Sequence, residues 1–394
     1  MRATSSDATP RALSPGGSVS RVFAVTGTQG NDGGLKVLAG LMGRHGVALY
    51  RAVSPRGVEC DPAGIVGADD VVLLKVNSQW DRRGGTNTDL LRELIALLLA
   101  HPEGFRGELV VADNGQAQFG YAGRGGGFDL VRNNARDRGQ SVQKVVDEFA
   151  ARHRVSTFLW DRITNRQVKE FESGDGEDGY VIDGPPSPVT GLLPSYPKFV
   201  TAFGTCLSFK RGVWDPARGA YDRDRLKVFN VPVLKAHHMA GVTGAVKHYM
   251  GVVSDKLTRR LGFRAHDTVV RGGMGTQMAR TRVPDLNLLD AIWINPHPGR
   301  GPWTDYDEAR AACIVAASTD AVALDYWAAR HILVPAARGL GYRDVSRLDP
   351  DDVRPGSFGY WLRAAASELR GAGWPANLGE DGVEAWVVAL EGAG

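Results

Sequence analysis

Residues 71–76 read Val-Val-Leu-Leu-Lys-Val, an apolar run interrupted only by Lys75. A strand with one wet face alternates apolar and polar residues, whereas a run with no alternation is a strand buried on both faces. Such strands belong to parallel sheets covered by helices on both sides. The polar stretch NSQWDRRGGTNT follows, and apolar spacing then predicts a helix from Asp89 to Ala100, with Asn87 or Thr88 as its N-cap. The signature recurs at Leu109–Ala112, which exits into Asp113-Asn114-Gly115-Gln116. A shorter version at Val22–Val25 runs into TGTQGNDGG and a predicted helix from Leu35 to Arg44, and a helix over Ser141–Arg152 precedes a strand at Val155–Trp160. Strands alternating with helices imply right-handed βαβ units. The expected fold is therefore α/β, a mostly parallel sheet with flanking helices, in one lobe or two, with a helical cover at the C-terminus.

Composition divides the chain further. Residues 1–20 are rich in Ser, Pro and Gly and read as a disordered leader; residues 21–160 read as an N-terminal α/β lobe. In residues 161–222 the pattern breaks into an acidic patch and several prolines, the mark of an irregular insertion or covering region with hairpins. Residues 223–335 read as a second α/β lobe, and residues 336–394 as a helical segment whose last part, Phe358–Leu390, is expected to form two helices. The glycine-rich, basic loop ending near Arg138 is expected to be mobile or a lid.

With 47 Lys+Arg against 44 Asp+Glu, no global field marks a partner such as nucleic acid or a membrane surface. Cys60, Cys206 and Cys313 are odd in number and far apart, which argues against a disulfide framework and against a clustered-cysteine motif, so no iron–sulfur cluster is expected. The N-terminus lacks the apolar run of a signal peptide, and the longest apolar stretch, LLRELIALLLA, carries two charges. A cytoplasmic location is expected, and the oligomeric state is left open.

The chemistry concentrates in VFNVPVLKAHHMAGVTGAVKHYMG, residues 228–251. Val228–Leu234 is predicted as a strand despite Pro232. Lys235 and His237, two apart, share a face if the strand persists. Gly241, Thr243 and Gly244 supply a turn, after which Ala245–Val252 can start a helix carrying Lys247 and His248. His237 and Lys247 converge only if the chain turns between them. A lone Lys or His is usually a satisfied or surface residue, but Lys235, His237, His238, Lys247 and His248 fall within fourteen positions. A lysine beside a second cation has a lowered pKa and becomes a base or nucleophile; the same pair also suits a phosphate or carboxylate. Lys247, His237 and Lys235 are therefore the catalytic candidates. Lys75, Asn77, Thr86, Thr88, Asp113 and Asn114 lie at strand exits and a helix start, where open α/β sheets bind ligands, and are the substrate-binding candidates.

Asp290, Asp320 and Asp325 are candidates for orienting a lysine or holding a metal. Asp320 has a simpler reading, as an acid favoured near a helix N-terminus, with Ser318 or Thr319 as the cap. Gly27, Gly30, Gly33 and Gly34 either bring amides to a phosphate or make a tight turn, their order matching neither common nucleotide motif. The patch Lys256–Arg264 is a solvated face or the lining of an anion channel, and His297 sits between prolines in a loop expected to be exposed.

The segments VVLLKVN with TNTDLL, the 228–251 stretch, PDLNLLDAIW and IVAASTDAVALDYWAA, spread over Val71–Leu333, resemble a family known as domain of unknown function 362. Many members carry ferredoxin-like cysteine clusters, which this chain lacks. The run from His237 to Lys247, with His266 downstream, is similar to a segment of nickel-dependent lactate racemases. That resemblance implies an acid/base role for His237, anchoring of a nickel-pincer-type nucleotide by Lys247 and metal ligation by His266. Those racemases place a further histidine after an earlier strand, where this chain has Asp113 and Asn114. The functional expectation is an enzyme, an isomerase or oxidoreductase, acting on a small anionic molecule with help from a transition metal or nucleotide cofactor. The competing class is a non-catalytic anion or metal binding protein.

Overall fold

The computed structural model describes residues 19–53, 57–115, 127–129 and 132–390. The leader up to residue 18 and most of the glycine-rich loop before Arg138 lie outside the described residues.

Strand Val71–Lys75 is buried at all five positions. Val71 and Leu73 point into one apolar core, and Val72 and Leu74 into a second. It sits near the middle of a ten-stranded sheet. On one side it pairs in parallel with Glu108–Asp113, which pairs in parallel with Val155–Leu159. On the other it pairs in parallel with Leu226–Asn230, which pairs in parallel with Leu286–Asn295. Arg310–Ser318 comes next, antiparallel to both its neighbours, Leu286–Asn295 and Ser20–Thr26. Strands from residues 21–160 and from 223–335 are thus hydrogen-bonded neighbours in one continuous sheet.

Each face of the sheet has its own cover. Helices Gly34–Arg44, Thr88–Leu99 and Val142–Ala150 pack Leu35, Leu38, Leu91, Leu94, Val145 and Val146 against one side. Asn87 and Ser141 cap the second and third of these by accepting backbone N–H bonds. The opposite side meets helices Gly273–Arg280, Ala321–Ala328 and Phe358–Gly371, and a five-stranded antiparallel meander running from Gly179–Ile182 to Ala220–Asp222. Among the described residues no helix is long and apolar enough to cross a membrane.

Three expectations need correction. The segment Val228–Leu234 is not one strand: Leu226–Asn230 and Val233–His237 are separate, and Pro232 lies in the break. Pro232 has no N–H to give a ladder, and its carbonyl instead accepts from the Asp290 N–H at 2.8 Å. The tail forms one helix, Phe358–Gly371, and then a strand, Val383–Ala389, that pairs in parallel with Ser20–Thr26. Its β-branched Val383, Val387 and Val388 suit a pleated surface, and the free edge of the first strand supplies the partner that no local pattern reveals. The helix after Ser318 is capped by Asp320, not by Ser318 or Thr319, since the Asp320 carboxylate accepts from Val322 N and Ala323 N.

Candidate functional site

Lys75, Asp113 and His237 are the last residues of their strands, and Lys235 lies two positions before His237. They line a cavity of about 320 Å³ together with Lys247 and His266. This is the crevice at the carboxyl ends of the strands that parallel sheets use for ligands.

At its base, Lys75 Nζ and Asp113 Oδ1 are 2.9 Å apart, with side chains 1% and 2% exposed. Asp113 Oδ2 also accepts from Ser78 N and Ser78 Oγ at 2.8 and 2.9 Å. Burial pulls Lys75 down and pushes Asp113 up, and their pairing opposes both shifts. A Cβ on Gly251 would lie 2.3 Å from Lys75 Nζ and 2.4 Å from Asp113 Oδ1, so this position has no room for a side chain. Asn114 ties the same segment down through Gly251 O at 3.1 Å and Val253 O at 3.1 Å.

Lys235 Nζ is buried and donates to the Gly84 carbonyl. Burial first, and then the charge of Lys247, hold its amine well below the ordinary lysine range. Lys247 rides the four-residue helix Ala245–His248, far too short to persist alone. Asp325 holds that helix in place by accepting from Ala245 N at 2.5 Å and Val246 N at 2.9 Å. Gly244 is needed there, because a Cβ would lie 2.2 Å from Asp325 Oδ1. Lys247 itself is 6% exposed, and its ammonium has no hydrogen-bond or ion-pair partner among the described residues. Burial, and then Lys75, bring its pKa down to about 8.

The histidines divide by their partners. His237 Nδ1 accepts from Met239 N at 3.1 Å and Ala240 N at 3.2 Å. Burial and the nearby Lys247 push its pKa far down, so the ring is neutral and its single proton sits on Nε2. His248 Nδ1 lies 2.7 Å from Asn230 Oδ1. Asn230 Nδ2 donates to Ala245 O and Asn287 Oδ1, which fixes Oδ1 as the acceptor and Nδ1–H of His248 as the donor. His238 Nδ1 donates to Gly301 O at 2.7 Å, its ring stacked on His237 with centroids 5.0 Å apart. His266 is half-buried, with a pKa lowered to about 3 by burial and then by Lys247 and His238. Among the described residues no group of three or more His, Cys, Asp or Glu is placed to hold a metal ion.

Of the other predicted residues, Asn77 lines the cavity. Thr86 does not; its hydroxyl accepts from Asn77 N and donates to Val231 O, tying the loop to the segment that follows strand Leu226–Asn230. Thr88 faces away, bonded to Asn133 and Gln140. Asp290 lies behind Lys235, accepts from Asn87 N, Asn134 Nδ2 and Ile292 N, and has its pKa raised to about 7 by burial. Asp320 is remote from the cavity and binds Ser20, Asn377 and its own helix. His297 is held by Tyr342 and Glu308 O, away from the cavity. The Gly27–Gly34 loop is a tight turn closed on its own side chains: Asp32 accepts from Gln29 N and Gly34 N, and just beyond it Glu93 accepts from Leu35 N.

Sequence reasoning missed Trp80, Trp303 and Asp255, which also line the cavity. Trp80 stands in the exit loop of the Lys75 strand, a position that marks ligand contacts in such sheets, whereas nothing local distinguishes Trp303. Of the patch Lys256–Arg264, Arg259 and Arg264 reach the cavity, so that segment is partly its lining.

A search of curated proteins found no match. A crystal structure of a Thermotoga maritima protein is similar at 9% identity and a TM-score of 0.27, over 58% of this chain and 47% of that one, a likeness too slight to carry an argument. The model of the family described as "Domain of unknown function (DUF362)" matches residues 222–330. The segment that supplies Lys235, His237, Lys247 and His266 thus lies within the stretch that matches this family's model.

Proposed function

We propose that this protein is an enzyme acting on a small anionic substrate in the cavity at the strand ends. The observation that carries this reading is the Lys247 ammonium, buried at the cavity with no counter-ion among the described residues. A cation on a largely buried side chain, reaching only the cavity, is poorly solvated there, and a bound carboxylate or phosphate offsets that loss. In this reading Lys247 holds the anion and His237 donates a hydrogen bond from Nε2 to a substrate oxygen. His237 is then an electrophile and not a proton acceptor, because Nδ1 is already occupied by two backbone N–H groups. Lys235, whose amine is held well below the ordinary lysine range by burial and then by Lys247, is the amine that takes the proton in this reading. An amine of lowered basicity and a neutral hydrogen-bond donor flanking an ammonium suit proton abstraction beside a carboxylate, an isomerase type of step.

Toward a nickel-pincer-type nucleotide, Lys247 and His266 stand on the cavity where an anchor and a metal ligand would be needed, whereas the position of the further histidine is taken by Asp113, which is committed to Lys75.

Two measurements test the proposal. Titration calorimetry with sulfate should give binding that K247M weakens at least about tenfold, as expected for loss of a buried charge partner. Proton NMR in deuterated water, with a panel of small 2-hydroxy carboxylates, should show exchange at the carbon beside the carboxylate that K235M abolishes. Binding without exchange for any of them would favour the non-catalytic reading; no binding would remove both.

A further inference from the structure

We propose that the ligand carries a flat aromatic ring beyond its anionic group, and that this ring lies against Trp303 and Trp80 at the cavity mouth. The inference rests on the anion reading above and extends it to the class of substrate.

A run of rings leads from the inner residues to the surface. His237 and His238 are stacked with centroids 5.0 Å apart, His238 and Trp303 follow at 5.7 Å, and Trp303 and Trp80 at 6.2 Å. Trp303 is 48% exposed and the neighbouring Met239 51% exposed, both on the same cavity as the lysines. A large apolar side chain held at a cavity mouth without being covered marks a contact that the protein itself does not complete. The space agrees: about 320 Å³ is more than a bare phosphate or acetate fills and falls in the range that takes a metabolite of ring size.

The rings and the lysines are built on shared backbone. Gly84 gives its carbonyl to Lys235 and packs so closely on Trp80 that a Cβ there would lie 2.6 Å from the Trp80 Cβ. Gly301 accepts from His238 and lies so near the Lys235–His237 strand that a Cβ would be 2.4 Å from Ala236 O. Thr304, next to Trp303, is bonded to Asn295 at 3.3 Å. The aromatic mouth is therefore set at a fixed offset from the cationic interior, an arrangement that suits one molecule spanning both. Rings stack on tryptophan faces through their quadrupoles, whereas saturated rings of the same size gain only from burial. Met239 offers a flexible thioether to the ring edge.

The test compares inorganic phosphate, phenyl phosphate and cyclohexyl phosphate by titration calorimetry. The full-length protein should bind phenyl phosphate about threefold to tenfold more tightly than cyclohexyl phosphate. W303L, which keeps apolar bulk at an exposed position, should bring that ratio close to one. Equal affinity of the wild-type protein for the two esters, with inorganic phosphate binding in a Lys247-dependent way, overturns the ring and leaves the anion reading standing. A preference that survives both W303L and W80L overturns the placement at the mouth. Failure of all three probes to bind overturns the anion reading together with this one.

Discussion

Lys247 and His237 carry opposite burdens within one cavity, and each makes a measurable prediction. Lys247 is a buried ammonium whose pKa is lowered to about 8, so its charge is present below that value and lost above it. Sulfate keeps its charge across this range, and its affinity should therefore fall as pH rises through about 8. Binding raises the lysine pKa, so complex formation should take up protons near pH 8, read from the buffer dependence of the calorimetric heat. A flat affinity from neutral to well above pH 8 would mean that Lys247 does not touch the anion. His237 makes the complementary prediction. With Nδ1 accepting two backbone N–H bonds and burial pushing its pKa far down, its ring should show the Nε2–H tautomer by nitrogen-15 NMR and no titration between about pH 5 and 8. A histidine titrating near its ordinary value there would return it to the acid/base role that the racemase resemblance implies. Much of this was legible in the sequence: Lys235 and His237 two apart on a strand, and glycines that turn the chain back so that Lys247 joins them. The tautomer was not, because it depends on where the amides of Met239 and Ala240 point.

The element that turns residue types into a site is the short helix Ala245–His248, and its stability is borrowed. One helical turn cannot pay for its own nucleation, so the anchor decides whether Lys247 stays in place. Asp325 is that anchor, 80 residues away in sequence from Ala245. Asp325 is a sequence candidate for orienting a lysine, and the structure gives the means: it binds the backbone of the lysine's helix and does not touch the ammonium. D325A removes both acceptors and leaves two buried N–H groups unsatisfied. It should cost at least about 2 kcal/mol of stability by denaturant unfolding and weaken sulfate binding in proportion to the displacement of Lys247. D325N keeps one acceptor oxygen and should fall between wild type and D325A. Sulfate affinity unchanged in D325A would show that the helix holds itself. The break at Pro232 was signalled by the residue itself, but its use was not: the freed Pro232 carbonyl accepts from Asp290 N, which helps set the carboxylate behind Lys235.

At the scale of the whole molecule, the parallel centre of the sheet was legible and its ends were not, for a single reason. Strands buried on both faces announce themselves by unbroken apolar runs, as in Val71–Lys75 and Glu108–Asp113. A strand at the edge is half exposed, and Val383–Ala389 carries no such run, so its spacing of Trp386, Val387 and Leu390 also fits a helix face. What makes it a strand is Ser20–Thr26 from the other end of the chain, whose residues Val22 to Val25 are all buried. Trp386 stacks on Phe23 with ring centroids 5.4 Å apart and leans on His45 at 4.3 Å. Without the terminal strand, this apolar first strand would become an open edge, the kind that pairs with another chain. Truncation after Gly382 should therefore lower the thermal midpoint by about 4 °C or more, at roughly 2 °C per kcal/mol for a large chain. It should also produce oligomers visible by light scattering. W386A, which leaves the backbone ladder in place, should lower the midpoint less and keep the protein dispersed. If the truncated protein melts and scatters like the full chain, the pairing of the two termini adds nothing to the fold. The truncated protein should still bind sulfate at low temperature, because the cavity lies at the carboxyl ends of strands on the far side of Arg310–Ser318 and Leu286–Asn295 from the lost edge.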